Sequence, residues 1–387
     1  MNSEKVAIIG YSLTKYQDKC EARADELIFT ASKEALLKAK IQRDDIDFVV
    51  VATADAYDGI TISNGLLAPA AGAFNRDSIR LENGGVFALG SACAAILGGA
   101  AEIVMVSSAD AVISDPIQIS NKSYDPFFLR PIGMNYIISS AMMATKYMHR
   151  YHVAEHDYAL MAAQNHIAAV NNKFAHIKTE YSVEQILESP IISWPLHQHE
   201  ICPVSSYGAA AIILASEEKA KSLCDKPIWI TGFGMGSERY FNNWSHAVKL
   251  PGLTHAAKKA YQMAGIKRPR KQIQAAETCG FVAPLDLMQI EALGFCDEGE
   301  GKDLLRHGVL SPTGDLPINF SGGVLCTNGL NSGGLFRTIQ GVMYLKGELS
   351  ISKDNAHRAI VCDGDANLGF PGGSYAVLIL EKGANHA

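Results

Sequence analysis

The feature that most constrains this chain is that it states one plan twice. Near the N-terminus come a strand (EKVAIIGYS), an amphipathic helix (LIFTASKEALLKAKI) and a second strand (DIDFVVVATA). The same order returns later as IWITGFGMG, THAAKKAYQMAGI and QIQAAET. Gly84-Gly85-Val86-Phe87 opens a small-residue helix in the first half, and Gly333-Gly334-Leu335-Phe336 opens one in the second. GAAAIILASEEK from Gly208 and GSYAVLILEK from Gly373 close the two halves. Self-similarity sets architecture before any motif is read, and two copies mean a duplicated domain, not a solenoid. Such a duplication places its functional site at the seam, with groups from both halves.

At 387 residues the chain exceeds one ordinary core and suits two units of about 150–200 residues. We divide it at 1–225 and 226–387. Hydrophobic content of 48% against 19% charged residues is that of a soluble globular protein. A net charge of −6 offers no concentrated basic face for nucleic acid. Lys267-Arg268-Pro269-Arg270-Lys271 is the one basic run, read as a solvated turn or as a dock for a nucleotide phosphate. Met1 to Lys5 lead straight into a strand, so no leader is expected. No apolar run reaches the roughly 18–20 residues of a membrane span. The eight cysteines show no CxxC spacing, which predicts free thiols in a cytoplasmic protein and no metal site.

Strands and helices alternate in each half, which predicts a largely parallel sheet covered by helices. Ile103–Val106 and Ile212–Leu214 read as buried central strands. Ala88–Ala101 carries only one acid-free, base-free run of small and apolar residues, so it is expected between two sheets. Residues 111–200 break the repeat. Asp115–Pro131 is rich in Pro, Ser and Asn, and two helices follow, over Met134–Tyr151 and Glu155–Asn171. This stretch reads as an insertion folded over the seam as a lid.

The repeated βαβαβαββ plan, the segment SPIISWPLHQHEICPVSSYGAAAIILASEE and the run MQIEALGFCDEGEGKDLLRHGVLSPTGDLPINFSGG together resemble the thiolase superfamily. The similarity is greatest to its sterol-carrier-protein-type and archaeal branch and spans essentially the whole chain. It implies an α/β fold layered α-β-α-β-α. It also implies chemistry on a CoA thioester: a Cys at a helix N-terminus carries the acyl group, and two His supply proton transfer and an oxyanion site.

Carried over residue by residue, the resemblance leaves those positions without their side chains. The strand Ser78–Leu81 runs into Glu82-Asn83-Gly84-Gly85, and Glu82 takes the place of the Cys when the following helix is matched, Gly84 or Gly85 when the strand is matched. The first His falls on Thr278 or Cys279, and the second on Gly329. Without a thiolate there is no ordinary acyl-enzyme. Glu82 is then a candidate base, or equally a helix cap or a partner for Arg80. Cys279, Cys326 and Cys362 are candidate relocated nucleophiles, or inert buried thiols. Asn83, Asn328, Asn331 and Asn367 are candidate oxyanion donors, or turn residues. His197 and His199 look like a weak metal pair that the family lacks. Tyr207 stands where many relatives have Asp. Gly232–Gly236 falls short of a dinucleotide fingerprint, and the turn containing Gly372 resembles a family turn whose glycines let backbone approach the thioester.

Two functions compete. One is a non-catalytic subunit, paired as a homo- or heterodimer with a thiolase-like chain within an acyltransferase assembly. The other is altered C–C chemistry, retro-aldol or Claisen, using Glu82 or a relocated Cys. Aldolases of this kind work with a small OB-fold, zinc-ribbon partner, and no cofactor beyond the CoA thioester substrate is implied.

Overall fold

The computed structural model describes residues 5–111, 115–238, 248–364 and 373–383. Nine strands form one sheet: β1 (Val6–Leu13), β2 (Phe48–Ala52), β3 (Asp77–Leu81), β4 (Ile103–Asp110), β5 (Gly208–Ser216), β6 (Ile228–Ser237), β7 (Ala275–Glu277), β8 (Arg358–Gly364) and β9 (Ser374–Lys382). Their order is β3-β2-β4-β5-β1-β6-β9-β8-β7. Read outward from the central β1–β6 pair, β5, β4 and β2 on one side correspond to β9, β8 and β7 on the other. The repeat in the sequence is thus a repeat in space.

The sheet is mixed, where alternation in the sequence predicts a mostly parallel one. Three pairings are parallel, β2 with β3, β2 with β4, and β7 with β8. The other five are antiparallel. The reason is the closing strand of each half, which returns beside the first strand: β5 lies between β1 and β4, and β9 between β6 and β8. A hydrophobic run alone does not reveal that insertion.

Strand alternation sorts the core into layers. Val6 and Ile8 face the middle of the molecule, whereas Ala7 and Ile9 face outward toward helix α1 (Ala24–Ala39). The middle layer holds α2 (Gly85–Leu97) and α7 (Gly333–Lys346), with β2, β4, β5, β8 and β9 packed on them. Outside the second half lie α5 (Pro251–Ala264) and α6 (Ala283–Ala292). This is the α-β-α-β-α order. It requires α2 and α7 to touch at their N-termini. A Cβ on Gly85 would collide with the backbone at Leu335, and one on Gly334 with Val86 and Asp363, so glycine is required at both.

The insertion contributes α3 (Tyr136–Tyr151), α4 (Glu155–Val170) and a hairpin of Ile191–Ser193 with Leu196–His197. Both helices join the same core cluster as α6. Tyr147 donates to Glu291, and Arg306 reaches the buried Asp157 at 2.7 Å. The insertion is therefore fastened to the second half.

Candidate functional site

The seam is built where the two central helices begin. Four backbone N–H groups at each helix N-terminus lack intrahelical partners, and the dipole makes the end positive. Each end here is met by a carboxylate from the opposite half. Asp363, at the end of β8, accepts from Val86 N at 3.1 Å on α2. Asp110, at the corresponding end of β4, accepts from Asn331 N at 2.7 Å and Ser332 N at 3.0 Å, ahead of α7. Both carboxylates are fully buried.

Their surroundings differ. Asp363 pairs at 2.6 Å with Arg337, itself 2% exposed. Burial pushes the Asp363 carboxyl up, and the guanidinium pulls it back. Asp110 pairs with no cation among the described residues. It accepts from the Ser332 hydroxyl, which also bonds the Tyr16 phenol, and Asn331 Nδ2 links onward at 3.3 Å to the buried Asp58. Burial pushes Asp110 up to about 7, with the Ser332 and Asn331 donors opposing.

Apart from Cys279 and Cys362, whose sulfurs lie 3.8 Å apart, the positions singled out in the sequence do not converge. Glu82 and Asn83 lie exposed on the turn from β3 to α2. Glu82 makes no hydrogen bond or ion pair with another described residue. It does not sit in an apolar pocket, and Arg80 pairs instead with Asp55 at 2.6 Å. Gly329 is enclosed: a Cβ there would lie 2.7 Å from Ser332 Oγ and 2.9 Å from Asp110 Oδ2. The place matched to a histidine is filled by this carboxylate and hydroxyl.

Thr278, Cys279, Cys326 and Cys362 are buried. Thr278 Oγ1 bonds Asp286 at 2.6 Å and Asn319 at 2.8 Å in a polar cluster beneath α6. Cys326 Sγ lies 3.5 Å from His166 Nδ1. Burial pushes that thiol up and holds the imidazole down, so the two stay neutral and the sulfur is unactivated. Asn328 turns its amide to the carbonyls of Pro203 and Val204, and Asn331 gives its amide to Asp58 and Ala109. Neither presents a free donor. Gly372 and Asn367 lie outside the described residues.

A family model described as thiolase C-terminal domain-like matches residues 236–382. An acetyl-CoA acetyltransferase of Methanothermobacter thermautotrophicus is 27% identical over 97% of this chain and 99% of its own. One from Methanocaldococcus jannaschii is 30% identical over 82% of this chain and 84% of its own. The chain belongs to the thiolase superfamily. Within it the chain stands with the sterol-carrier-protein-type and archaeal members. A solved structure named Ltp2-ChsH2(DUF35) aldolase superposes with a TM-score of 0.83 at 26% identity, covering 97% of both chains.

For a thiolase-superfamily seam, the residues that reading the sequence missed are Asp110, Asp363, Arg337 and His176. A lone Asp at a strand end carries no periodic signal; only the paired ends of β4 and β8 show it. His176 Nδ1 lies 2.8 Å from Ser206 Oγ, which accepts from Asn328 N at 3.0 Å. The hydroxyl proton is thus left for the imidazole, whose protonation burial disfavours. This half-buried histidine adjoins the loop that carries Gly329. Tyr207 pairs its backbone with Gln17.

The remaining motifs stand apart. His197 is buried with Nδ1 3.0 Å from the Ser189 carbonyl, and His199 stacks on Tyr181 at 3.9 Å. Among the described residues no three His, Cys, Asp or Glu side chains converge as a metal site. Gly232–Gly236 runs within β6, and beyond it Ser237, Glu238, Gly252 and His255 line a surface cavity of about 550 Å³. Glu238 caps α5 there through Gly252 N at 2.6 Å, so a carboxylate stands where a phosphate would need to bind. The basic run Lys267–Lys271 precedes β7, at the opposite end of that strand from Thr278 and Cys279. No helix among the described residues is long and apolar enough to cross a membrane.

Proposed function

We propose that this chain is a thiolase-fold subunit that handles an acyl-CoA or other acyl thioester without the Cys/His chemistry, as a structural member of an acyltransferase-type complex. The observation that carries this reading is the double capping of the seam. An oxyanion or thiolate at these helix ends would compete with Asp363 for the Val86 N–H and with Asp110 for the Asn331 and Ser332 N–H groups. Glu82 is exposed and has no partner among the described residues with which to move a proton.

The exposed architecture supports a partner subunit. β3 is a sheet edge, with Ile79 38% exposed, and α2 brings Ala94 and Leu97 to the surface beside it. An unpaired edge strand next to an uncharged helix face is a template for another chain; a thiolase-like copy, homo- or heteromeric, fits both. A small OB-fold, zinc-ribbon protein is the further partner this reading includes, in keeping with the DUF35 component in the aldolase's name.

That aldolase likeness favours one alternative, retro-aldol or Claisen chemistry on a CoA thioester using Glu82 or a relocated Cys. One experiment separates the two. The chain is purified alone and with a co-expressed thiolase-like or DUF35-type partner, and acyl-CoA cleavage is followed. The subunit reading expects no turnover by the isolated chain and no effect of Glu82→Gln on the complex. Turnover by the isolated chain that Glu82→Gln abolishes establishes the alternative.

A further inference from the structure

Among the eight cysteines, Cys279 and Cys362 stand alone in touching each other. Their sulfurs lie 3.8 Å apart. Cys362 lies in β8, and Cys279 follows the end of β7, two strands that run parallel with Val361 beside Glu277. Gln289 of α6 clamps the pair. Its carbonyl accepts from Cys279 N at 2.8 Å, its amide donates to Cys279 Sγ at 3.4 Å, and Cys362 Sγ lies 3.6 Å from its oxygen. Cys279 Sγ therefore accepts from two donors, the Cys362 S–H and the Gln289 N–H. The charge of the buried Arg337 acts on both sulfurs.

We propose that Cys279 and Cys362 form a redox-active dithiol, in which Cys279 attacks a small peroxide and Cys362 closes the disulfide. In the first step the Cys279 sulfur attacks one peroxide oxygen, the O–O bond breaks and the Cys279 S–H proton is released. Cys279 becomes a sulfenic acid, and the departing hydroxide takes a proton to leave as water. In the second step the Cys362 sulfur displaces the sulfenic oxygen, the S–S bond forms, and a second water leaves. The two sulfurs together lose two electrons and the peroxide gains them.

A disulfide needs about 2.05 Å between sulfurs, so the pair must close by less than two ångströms. Both sulfurs are buried, at 2% and 0% exposure. At that burial the proposed oxidant is a small peroxide rather than a bulkier disulfide or thioester. Asp363 follows Cys362 directly and holds both Arg337 and the first turn of α2. Closure of the disulfide therefore acts on one of the two caps of the seam. The inference does not depend on the functional reading above.

The test uses the full chain under native conditions. It is exposed to hydrogen peroxide, quenched in denaturant with an alkylating agent, and examined by intact mass and peptide mapping. The expected result is a loss of two hydrogens, a cross-linked pair of peptides containing Cys279 and Cys362, and reversal by dithiothreitol. Cys326, which has an imidazole but no thiol beside it, stays alkylatable. In Cys362→Ala the sulfenic acid at Cys279 persists and is captured by dimedone. Full alkylation of both residues after peroxide, or a disulfide forming first elsewhere, overturns the proposal. The wild-type result decides the matter even where the variant fails to fold.

Discussion

The two helix ends at the seam solve one problem in different ways. At α2 the capping carboxylate, Asp363, carries its own cation, the fully enclosed Arg337. At α7 Asp110 is held only by amides and hydroxyls from Asn331, Ser332 and, through Ser332, Tyr16. A buried ion pair fixes its charge across a wide pH range, whereas a carboxylate with neutral donors stays poised between protonation states. The duplication preserved the positions of the two acids but not their electrostatics. One end is locked, and the other titrates.

Breaking the locked end has the largest expected effect. Asp363→Ala leaves Arg337 buried without a counter-charge and strips the cap from α2, which is expected to cost about 3–5 kcal/mol, measured by urea unfolding. Asp110→Ala removes acceptors for three neutral donors and leaves no bare charge, so a smaller loss of about 1–3 kcal/mol is expected in the same assay. Equal losses at the two sites would erase the contrast.

The pH profile sharpens it. Asp110 is raised from 3.8 to about 7 in the folded chain, so between those values the native state binds more protons than the unfolded one. Its contribution is then fully present below pH 3.8 and is lost as pH rises through 7, at up to roughly 1.4 kcal/mol per pH unit. Buried Glu277 and Glu200, both pushed to about 8 by burial, act in the same direction. Melting temperature is expected to fall between pH 5 and pH 8, and Asp110→Asn is expected to flatten that slope. At the small end, Glu82→Gln on the exposed turn is expected to change stability by less than about 0.5 kcal/mol.

Much of this was legible in the residues. The internal repeat, the charge-free helix after Gly85 and the closing strands from Gly208 and Gly373 lead to the layered fold, because strand and helix periods are local properties. By resemblance the sequence also marked Glu82, Thr278 or Cys279, and Gly329 as the positions to compare with the family's Cys and His, and their catalytic emptiness belongs to the proposal. What surrounds them was not legible. Asp110 and Gly329 meet only through the crossing of two halves, as do Asp363 and Gly84, and no local pattern announces a contact across more than two hundred residues. Exposure misled in the same way: a carboxylate at a helix start is compatible with a pocket until β3 is seen to be an edge strand. The attachment of helix α4 to the second half through Asp157 and Arg306 likewise depends on packing that spacing does not encode.

The most direct measurement is the intact mass of the purified chain after incubation with acetyl-CoA and acetoacetyl-CoA. With both helix ends occupied and every seam thiol enclosed, the mass is predicted to stay unchanged. Gain of one acetyl group, mapped to Cys279, Cys326, Cys362 or Glu82, would contradict the account and make the chain an acyl-carrying enzyme.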